Sequence, residues 1–370
     1  MTREQLRYQI GLTLIKGVGP ILAKNLIAYL GSAEAVFSEK KQNLARIPGI
    51  GDTLAAVIAG RTELLDRADK EIENARSNGY SIISFFDKGY PYRLKECSDS
   101  PVILYCRGNI DLNNSRFLAF VGTRNATDYG KKCCESIIEN LAAQVPGLVV
   151  VSGLAYGMDI TAHKAAIKYG LPTIGVVAHG LDRIYPAVHT QIAARMVENG
   201  AVLTEYPVGT EPDRPNFVQR NRIIAGLCDG SVIVETATRG GSLLTAEAAN
   251  QYNREVLAVP GRIGDLKSEG CNELIKQNKA ALIETAEDVI AALNWYPAKK
   301  SKHIQTLLFD ELNSDEQNVM ELLRQFETLQ LNHLTLQLKL SVDKLLPLLL
   351  EMEFKGLLRC LPGNVYKAAN

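Results

Sequence analysis

The sequence predicts an α/β protein centred on a Rossmann-like, doubly wound, mainly parallel sheet, with an all-α unit before it and a winged helix after it. Three observations carry this reading. From about residue 115 to 295, short β-rich runs alternate with amphipathic stretches and are punctuated by Gly and Pro. A Gly-apolar-Gly turn occurs twice near the N-terminus, at Gly17-Val18-Gly19 and Gly49-Ile50-Gly51. Three helical stretches and two short strands close the chain.

Bulk properties narrow the function classes. A chain of 370 residues holds two or three domains, and 46% hydrophobic with 22% charged residues is ordinary for a globular protein. The 41 basic side chains balance 41 acidic ones, so any polyanion site has to be local. The first residues lack the basic-then-apolar pattern of a signal peptide, and no apolar run is long enough to span a bilayer. The seven cysteines include no C-x-x-C pair, and Cys133 and Cys134 are adjacent, which is no zinc spacing. A cytoplasmic protein with reduced thiols, no metal and no cofactor is expected.

The elements follow in order. Ile15-Lys16-Gly17-Val18-Gly19-Pro20 is echoed by Ile47-Pro48-Gly49-Ile50-Gly51-Asp52, and each copy opens a new helix. This is the pattern of a tandem helix-hairpin-helix (SAM-like) over residues 1–62. Its glycine turns either present N–H groups to DNA phosphates or simply let the hairpins pack on each other. A core is expected over 63–296. A polar helix from Glu63 leads into the apolar runs Ser81–Phe86 and Val102–Cys106, read as strands added to the following sheet. The core strands are expected at Phe117–Val121, Leu148–Val151, Thr173–Val177, Ala201–Thr204, Ser231–Glu235 and Glu255–Val259. Doubly wound sheets bind ligands beyond the carboxyl ends of such strands.

A linker is expected at 297–312 and a winged helix at 313–370, its first helix capped by Ser314 with Gln317. The third helix, Ser341 to about Lys355, is apolar and acidic. From residue 303 onward six Lys/Arg face nine Asp/Glu, which disfavours phosphate contact and points to protein interaction.

The chemistry gathers at strand ends. Val121-Gly122-Thr123-Arg124 is neither a dinucleotide fingerprint nor a P-loop, yet a glycine, a hydroxyl and an arginine at a strand-to-helix turn make an anion site. Ser152-Gly153 and Arg239-Gly240-Gly241-Ser242 lie at two further such turns. In Phe217-Val218-Gln219-Arg220-Asn221-Arg222-Ile223-Ile224, helical spacing places Arg220 on the apolar face and Arg222 roughly opposite. Arg220 then needs an internal acid (Glu205, Asp159 or Glu235) or a ligand phosphate, whereas Arg222 is expected to meet the ligand. Arg214 and Phe217 add a charge and a face for a base to stack on. His163, four residues after Asp159, is read as a packed histidine rather than a metal ligand. His179 ends the third core strand with no nucleophile beside it.

These motifs, in order with Gly180-Leu181-Asp182-x-x-Tyr185-Pro186, Val259-Pro260-Gly261 and Gly270-Cys271-Asn272, resemble the DNA processing protein A (DprA, also called Smf) family along the whole chain. The resemblance implies a non-enzymatic protein that binds single-stranded DNA, forms a homodimer through its Rossmann-like domain and helps load the RecA recombinase during natural transformation. It carries DNA contact to Gly122, Thr123, Arg124, Arg214 and Phe217. With the residues read above, the candidate DNA-binding set also includes Ser152, Gly153, Arg220, Asn221, Arg222, Arg239, Gly240, Gly241 and Ser242. His179 and Arg239 depart from the residues usual in the family. The apolar Leu274, Ile275 and Leu282 are candidates for the dimer face. The alternative is a LOG-like nucleoside-monophosphate phosphoribohydrolase using Arg220 and Glu247. That pattern wants G-G-x-G-T-x-x-E, and Leu243 and Leu244 replace its glycine and threonine.

Overall fold

The computed structural model describes residues 1–114, 116–296, 312–326, 328–361 and 363–369. It divides into two compact units, Met1–Tyr296 and Pro297–Asn370. The first is built on a nine-stranded sheet of β1 (Ser81–Ser84), β2 (Ile103–Gly108), β3 (Arg116–Val121), β4 (Leu148–Ser152), β5 (Thr173–Val176), β6 (Ala201–Thr204), β7 (Gly230–Ile233), β8 (Glu255–Ala258) and β9 (Ala281–Leu282). Their order is β1-β2-β6-β5-β4-β3-β7-β8-β9. β1 pairs antiparallel with β2, and β2 with β6; every other pairing is parallel. All six expected core strands are present, and the two earlier runs do extend the sheet. β9 was not foreseen, because two residues are too few to show a period.

Both faces of the sheet are covered, which is why its strands read as near-continuous apolar runs. Along β3, Phe117, Ala119 and Val121 enter one cluster with Ile223, Ile224 and Leu227, while Leu118 and Phe120 enter another with Ile137, Ile138 and Leu141. Successive residues alternate between two buried layers. β3 lies between β4 and β7, so the chain winds outward on one side of β3 and then on the other. The carboxyl ends of β3 and β7 therefore flank the switch point where such sheets open a crevice.

The duplicated turn is observed. Gly17 and Gly49 take φ values of +89° and +85°, Val18 and Ile50 are buried between them and the next glycine, and Gly19 and Gly51 begin the helices Pro20–Leu30 and Asp52–Ile58. The helix Glu63–Asn78, expected with the core, packs against Arg3–Thr13, with Arg7–Asp69 and Arg3–Glu73 ion pairs of 2.7 Å. Ile10, Leu26 and Phe37 share a hydrophobic cluster with Ile103, Leu154 and Val177, which makes this region continuous with the sheet.

In the second unit, the helices Ser314–Phe326, Leu331–Leu338 and Val342–Phe354 surround a core of Val319, Leu323, Leu345, Leu349 and Met352. Strands Leu358–Leu361 and Val365–Ala368 form the wing, joined by Thr328–Gln330, a strand too short to show in the pattern. The first helix is capped by Asn313 rather than Ser314: Asn313 Oδ1 accepts the Glu316 amide and Glu316 Oε2 accepts the Asn313 amide, both at 2.9 Å. Apart from Leu312, the expected linker lies outside the described residues. Among the described residues no helix is long and apolar enough to cross a membrane.

One assignment is corrected here. In the helix Arg214–Leu227, capped by Asp213, Arg220 does face the sheet and Arg222 does point elsewhere. Arg222 does not reach a ligand surface, however. Its guanidinium is ion-paired with Glu205 and donates to the Asp99 carbonyl at 2.7 Å; its side chain is 15% exposed and that of Glu205 11%. The side of the helix opposite the sheet is itself covered by the chain near Asp99, so the cation is satisfied internally. Truncating one member of a buried pair strands the other's charge. Arg222→Ala is therefore expected to lose about 3–5 kcal/mol in chemical denaturation, and Arg222→Met with Glu205→Leu to recover most of it. A single mutant as stable as the parent would show that the pair contributes nothing.

Candidate nucleic-acid interface

A groove of about 780 Å³ opens beyond the carboxyl ends of β3 and β7. Eleven of the fourteen candidate residues line it: Gly122, Thr123, Arg124, Arg214, Phe217, Arg220, Asn221, Arg239, Gly240, Gly241 and Ser242. One wall is the turn after β3, another the turn after β7, and the third the helix Arg214–Leu227.

The first wall is held by backbone contacts and one buried carboxylate. The Thr123 amide donates to the Glu235 carbonyl at 2.7 Å, and the Thr123 carbonyl accepts the Met158 amide at 3.1 Å. The Glu235 carboxylate, fully buried, accepts the Thr127 amide at 2.8 Å and the Thr127 hydroxyl as well. Glu235, considered from the sequence as a partner for Arg220, thus braces the Arg124 turn instead. Glycines permit these approaches. A Cβ on Gly122 would lie 2.9 Å from the Glu235 carbonyl oxygen, and one on Gly130 2.4 Å from the Glu235 carboxyl carbon. Gly157, at φ +76°, brings its own turn against the carbonyls of Thr123 and Arg124, within 2.4 Å of where a Cβ would sit.

Arg124 emerges exposed from this turn, with its guanidinium carbon 5.2 Å from the centre of the Phe217 ring. Arg214 and Arg239 are exposed on the other two walls, and none of the three is ion-paired among the described residues. The helix Gly241–Gln251 starts at the second wall with Gly240 as its cap residue and no side-chain cap. Its first-turn Ser242 is 7% exposed, and its Oγ is buried with no hydrogen-bond partner among the described residues. The uncapped N–H groups and the neighbouring exposed Arg239 together suit an anion. Asn221 ties the two helices together by donating to the Gly241 carbonyl at 3.3 Å.

Arg220 forms the floor. It is 4% exposed, and it donates to the Val176 carbonyl and, at 3.2 Å, to Asn221 Oδ1. Burial works against its charge, and Asp159 across the floor supports it. Of the three acids considered for Arg220, it is therefore Asp159 that faces it. Gly153 is required between them, because a Cβ there would lie 2.1 Å from Asp159 Oδ2 and 2.7 Å from the guanidinium.

Three candidates are not brought to the groove. Arg222 is paired behind the helix as described. Ser152 is fully buried and donates to the Phe120 carbonyl at 2.6 Å, which spends its hydroxyl on the sheet. Gly153 lies beneath the Asp159–Arg220 floor and presents no surface. His163 is packed as expected: its ring nitrogens contact Thr173 Oγ1 at 2.7 Å and the Gly153 carbonyl at 2.6 Å, and burial pushes its pKa down to about 4. Two residues take roles that the sequence reading did not give them. Glu235 offered no local signal, since its partners lie 108 residues away. Tyr185, quoted only within its motif, places its ring 6.0 Å from that of Phe217. Gly157→Ala is expected to cost at least about 1–3 kcal/mol in thermal unfolding, because both its φ and the carbonyls facing it exclude a side chain. An unchanged melting temperature would mean that the turns do not constrain each other.

Comparison with known proteins places this site in context. Residues 81–294 match the family described as DNA recombination-mediator protein A, and residues 309–364 match the DprA winged helix domain. Protein Smf of Synechocystis sp. is 32% identical over 312 residues, which is 83% of this chain and 77% of that protein. DNA processing protein DprA of Streptococcus pneumoniae is 40% identical over 236 residues, 64% of this chain and 81% of its own. The crystal structure of DprA from S. pneumoniae aligns with a TM-score of 0.66 at 34% identity, covering 79% of this chain and 98% of that one. A structure of DNA processing protein A from Helicobacter pylori, described as showing a single-stranded DNA binding mode, aligns at 0.53 and 30% identity over 59% of this chain and 97% of its own. With its sheet order, its strand-end turns and its winged helix all accounted for, this chain belongs to the DNA processing protein A (DprA/Smf) family.

Proposed function

We propose that this protein binds single-stranded DNA without sequence specificity in the groove beyond β3 and β7. We propose further that it acts in the bacterial cytoplasm as a homodimer that helps load RecA during DNA uptake and recombination. The observation that carries the binding site is that Arg124, Arg214 and Arg239, all exposed and without an ion pair among the described residues, line one groove, with Arg124 against the ring of Phe217. Arginines at successive points along a groove neutralise successive phosphates, and an aromatic face accepts any base. The uncapped start of the helix Gly241–Gln251, beside the exposed Arg239, seats one of those phosphates. The single-stranded DNA binding described for the H. pylori relative supports the same substrate class. Duplex binds more weakly, because paired bases present no free face to Phe217.

The hydrolase alternative draws no support from the site. Arg220 is buried in the floor, whereas Glu247 is exposed and lies outside the groove lining. For the homodimer, Leu282 on the edge strand β9 is the most accessible of the apolar candidates at 50% exposure, whereas Leu274 is buried. The third helix of the winged-helix unit exposes Val342, Leu346, Leu350 and Phe354, which suits a protein contact better than a phosphate backbone.

Fluorescence anisotropy of a labelled oligonucleotide across a salt series tests the groove. Arg124→Ala, Arg214→Ala and Arg239→Ala are each expected to weaken single-strand binding about tenfold and to flatten the slope of log K against log salt by about 1. Retention of full affinity by all three would move the site to the helix-hairpin-helix repeat. No binding by the parent protein at low salt would overturn the reading and make nucleoside-monophosphate hydrolysis the next assay.

A further inference from the structure

We propose that Tyr185 is a second base-stacking face of the groove and that His179 is the positioning residue that holds it there. The inference rests on the single-strand reading above and extends it to two residues outside the candidate set. Beside the main groove lies a smaller recess of about 70 Å³ lined by Arg124, Tyr156, His179, Tyr185, Phe217 and Arg220. Tyr185 stands at its rim, 47% exposed, with its ring centre 6.0 Å from that of Phe217 and the two planes inclined at 47°. The inclined arrangement is not a face-to-face stack, and Tyr185, nearly half exposed, keeps ring surface open to a planar ligand. With Arg124 against Phe217, the three side chains form a cationic and aromatic track, the combination that holds unpaired bases irrespective of sequence.

What fixes Tyr185 is the imidazole of His179, which is 1% exposed. Its Nδ1 lies 2.8 Å from the Gly180 carbonyl oxygen, and its Nε2 lies 3.2 Å from the Tyr185 amide nitrogen. A carbonyl only accepts and an amide only donates, so the ring is neutral, with its proton on Nδ1 and its lone pair on Nε2. The imidazole thereby closes the turn 179–185 and sets where the tyrosine emerges. A proton on Nε2 would confront the Tyr185 N–H donor with a second donor and break that closure.

The charged groups around the ring are Asp182 and Arg183 from the same turn and Arg220 from the helix Arg214–Leu227. Burial is the largest influence and lowers the His179 pKa from its ordinary value of 6.5; the two arginines act the same way, against Asp182. Asp182 is itself engaged by the Gly209 amide at 3.0 Å and by Arg183 at 2.8 Å. The sign follows. A depressed histidine pKa keeps the neutral, Tyr185-binding form through neutral pH, and the closure is lost as pH falls below 6.5 through that lowered value.

The test is photocrosslinking of the full chain to a single-stranded oligonucleotide carrying 5-iododeoxyuridine, with crosslinked peptides mapped by mass spectrometry and affinity read in parallel by anisotropy. Crosslinks are expected at Tyr185 as well as Phe217. Tyr185→Ala, at an exposed position that does not endanger folding, is expected to weaken binding about tenfold, and Tyr185→Phe to restore it. The parent protein is expected to lose Tyr185 crosslinking in an acid titration from pH 7, once the imidazole protonates below its ordinary 6.5. His179→Gln, whose amide oxygen still accepts the Tyr185 N–H, is expected to crosslink equally throughout that titration. If the oligonucleotide binds with Arg124 dependence but Tyr185 gives no crosslink and Tyr185→Ala binds like the parent, the stacking face is refuted and the groove stands. If His179→Gln keeps the pH dependence of the parent, His179 is not the positioning residue. Absence of any binding by the parent protein overturns the groove and this inference together.

Discussion

The fully buried carboxylate of Glu235, at the end of β7, is the contact on which the rest of the groove depends. It accepts the amide and the hydroxyl of Thr127, while the carbonyl of the same residue accepts the Thr123 amide. One residue of the β7 wall therefore holds both ends of the turn that carries Arg124. Thr127 in turn caps the helix Asp128–Gln144 through its hydroxyl, so the start of that helix and the position of Arg124 are set by one cluster. A buried carboxylate without partners would be costly. Here its hydrogen bonds satisfy the charge and the strand-end geometry at once.

The arginines separate by what surrounds them rather than by their spacing. Arg124, Arg214 and Arg239 lie on exposed turns and at a helix start, with no ion pair among the described residues. Arg220 and Arg222, two residues apart on one helix, are both buried. One is held by the Val176 carbonyl and faces Asp159; the other is paired with Glu205. Buried cations of this kind shape the floor and back of the groove, and the exposed ones stand in solvent on its walls. With no net charge on the chain, any positive field at the groove has to come from that local separation.

Glycines serve the same end at the level of the backbone. Gly122, Gly130, Gly153 and Gly157 each sit where another strand-end turn or a buried side chain occupies the space of a Cβ. Three turns from different parts of the chain can then meet closely enough to line one groove. The flanking elements show a different economy: in the N-terminal repeat, Gly19, Gly49 and Gly51 face open space, so these glycines serve conformation and helix entry alone.

Much of this was legible in the sequence because it is local. The strands of the core declared themselves as short apolar runs, the duplicated hairpin as a repeated Gly-apolar-Gly, and the winged helix as three periodic helices and a hairpin. The groove walls were legible too, since small residues and arginines at strand ends belong to the same few positions that turn the chain. The family resemblance joined these motifs in order. What remained undetermined were the choices made by residues distant in the chain. Helical periodicity placed Arg222 away from the sheet, but only the folded chain brings Asp99 and Glu205 to that side; Ser152 ends a strand as a binding serine would, but its hydroxyl is taken by Phe120 in the next strand. Glu235 had no local mark, because its partner lies 108 residues away. The sequence by itself determined the elements and the chemical character of the site, through hydrophobic periodicity and backbone freedom acting over a few residues. Only the tertiary structure decided which polar groups face the groove and which are spent inside. Each buried donor or charge takes whatever partner the packing supplies, and packing is a property of the whole chain.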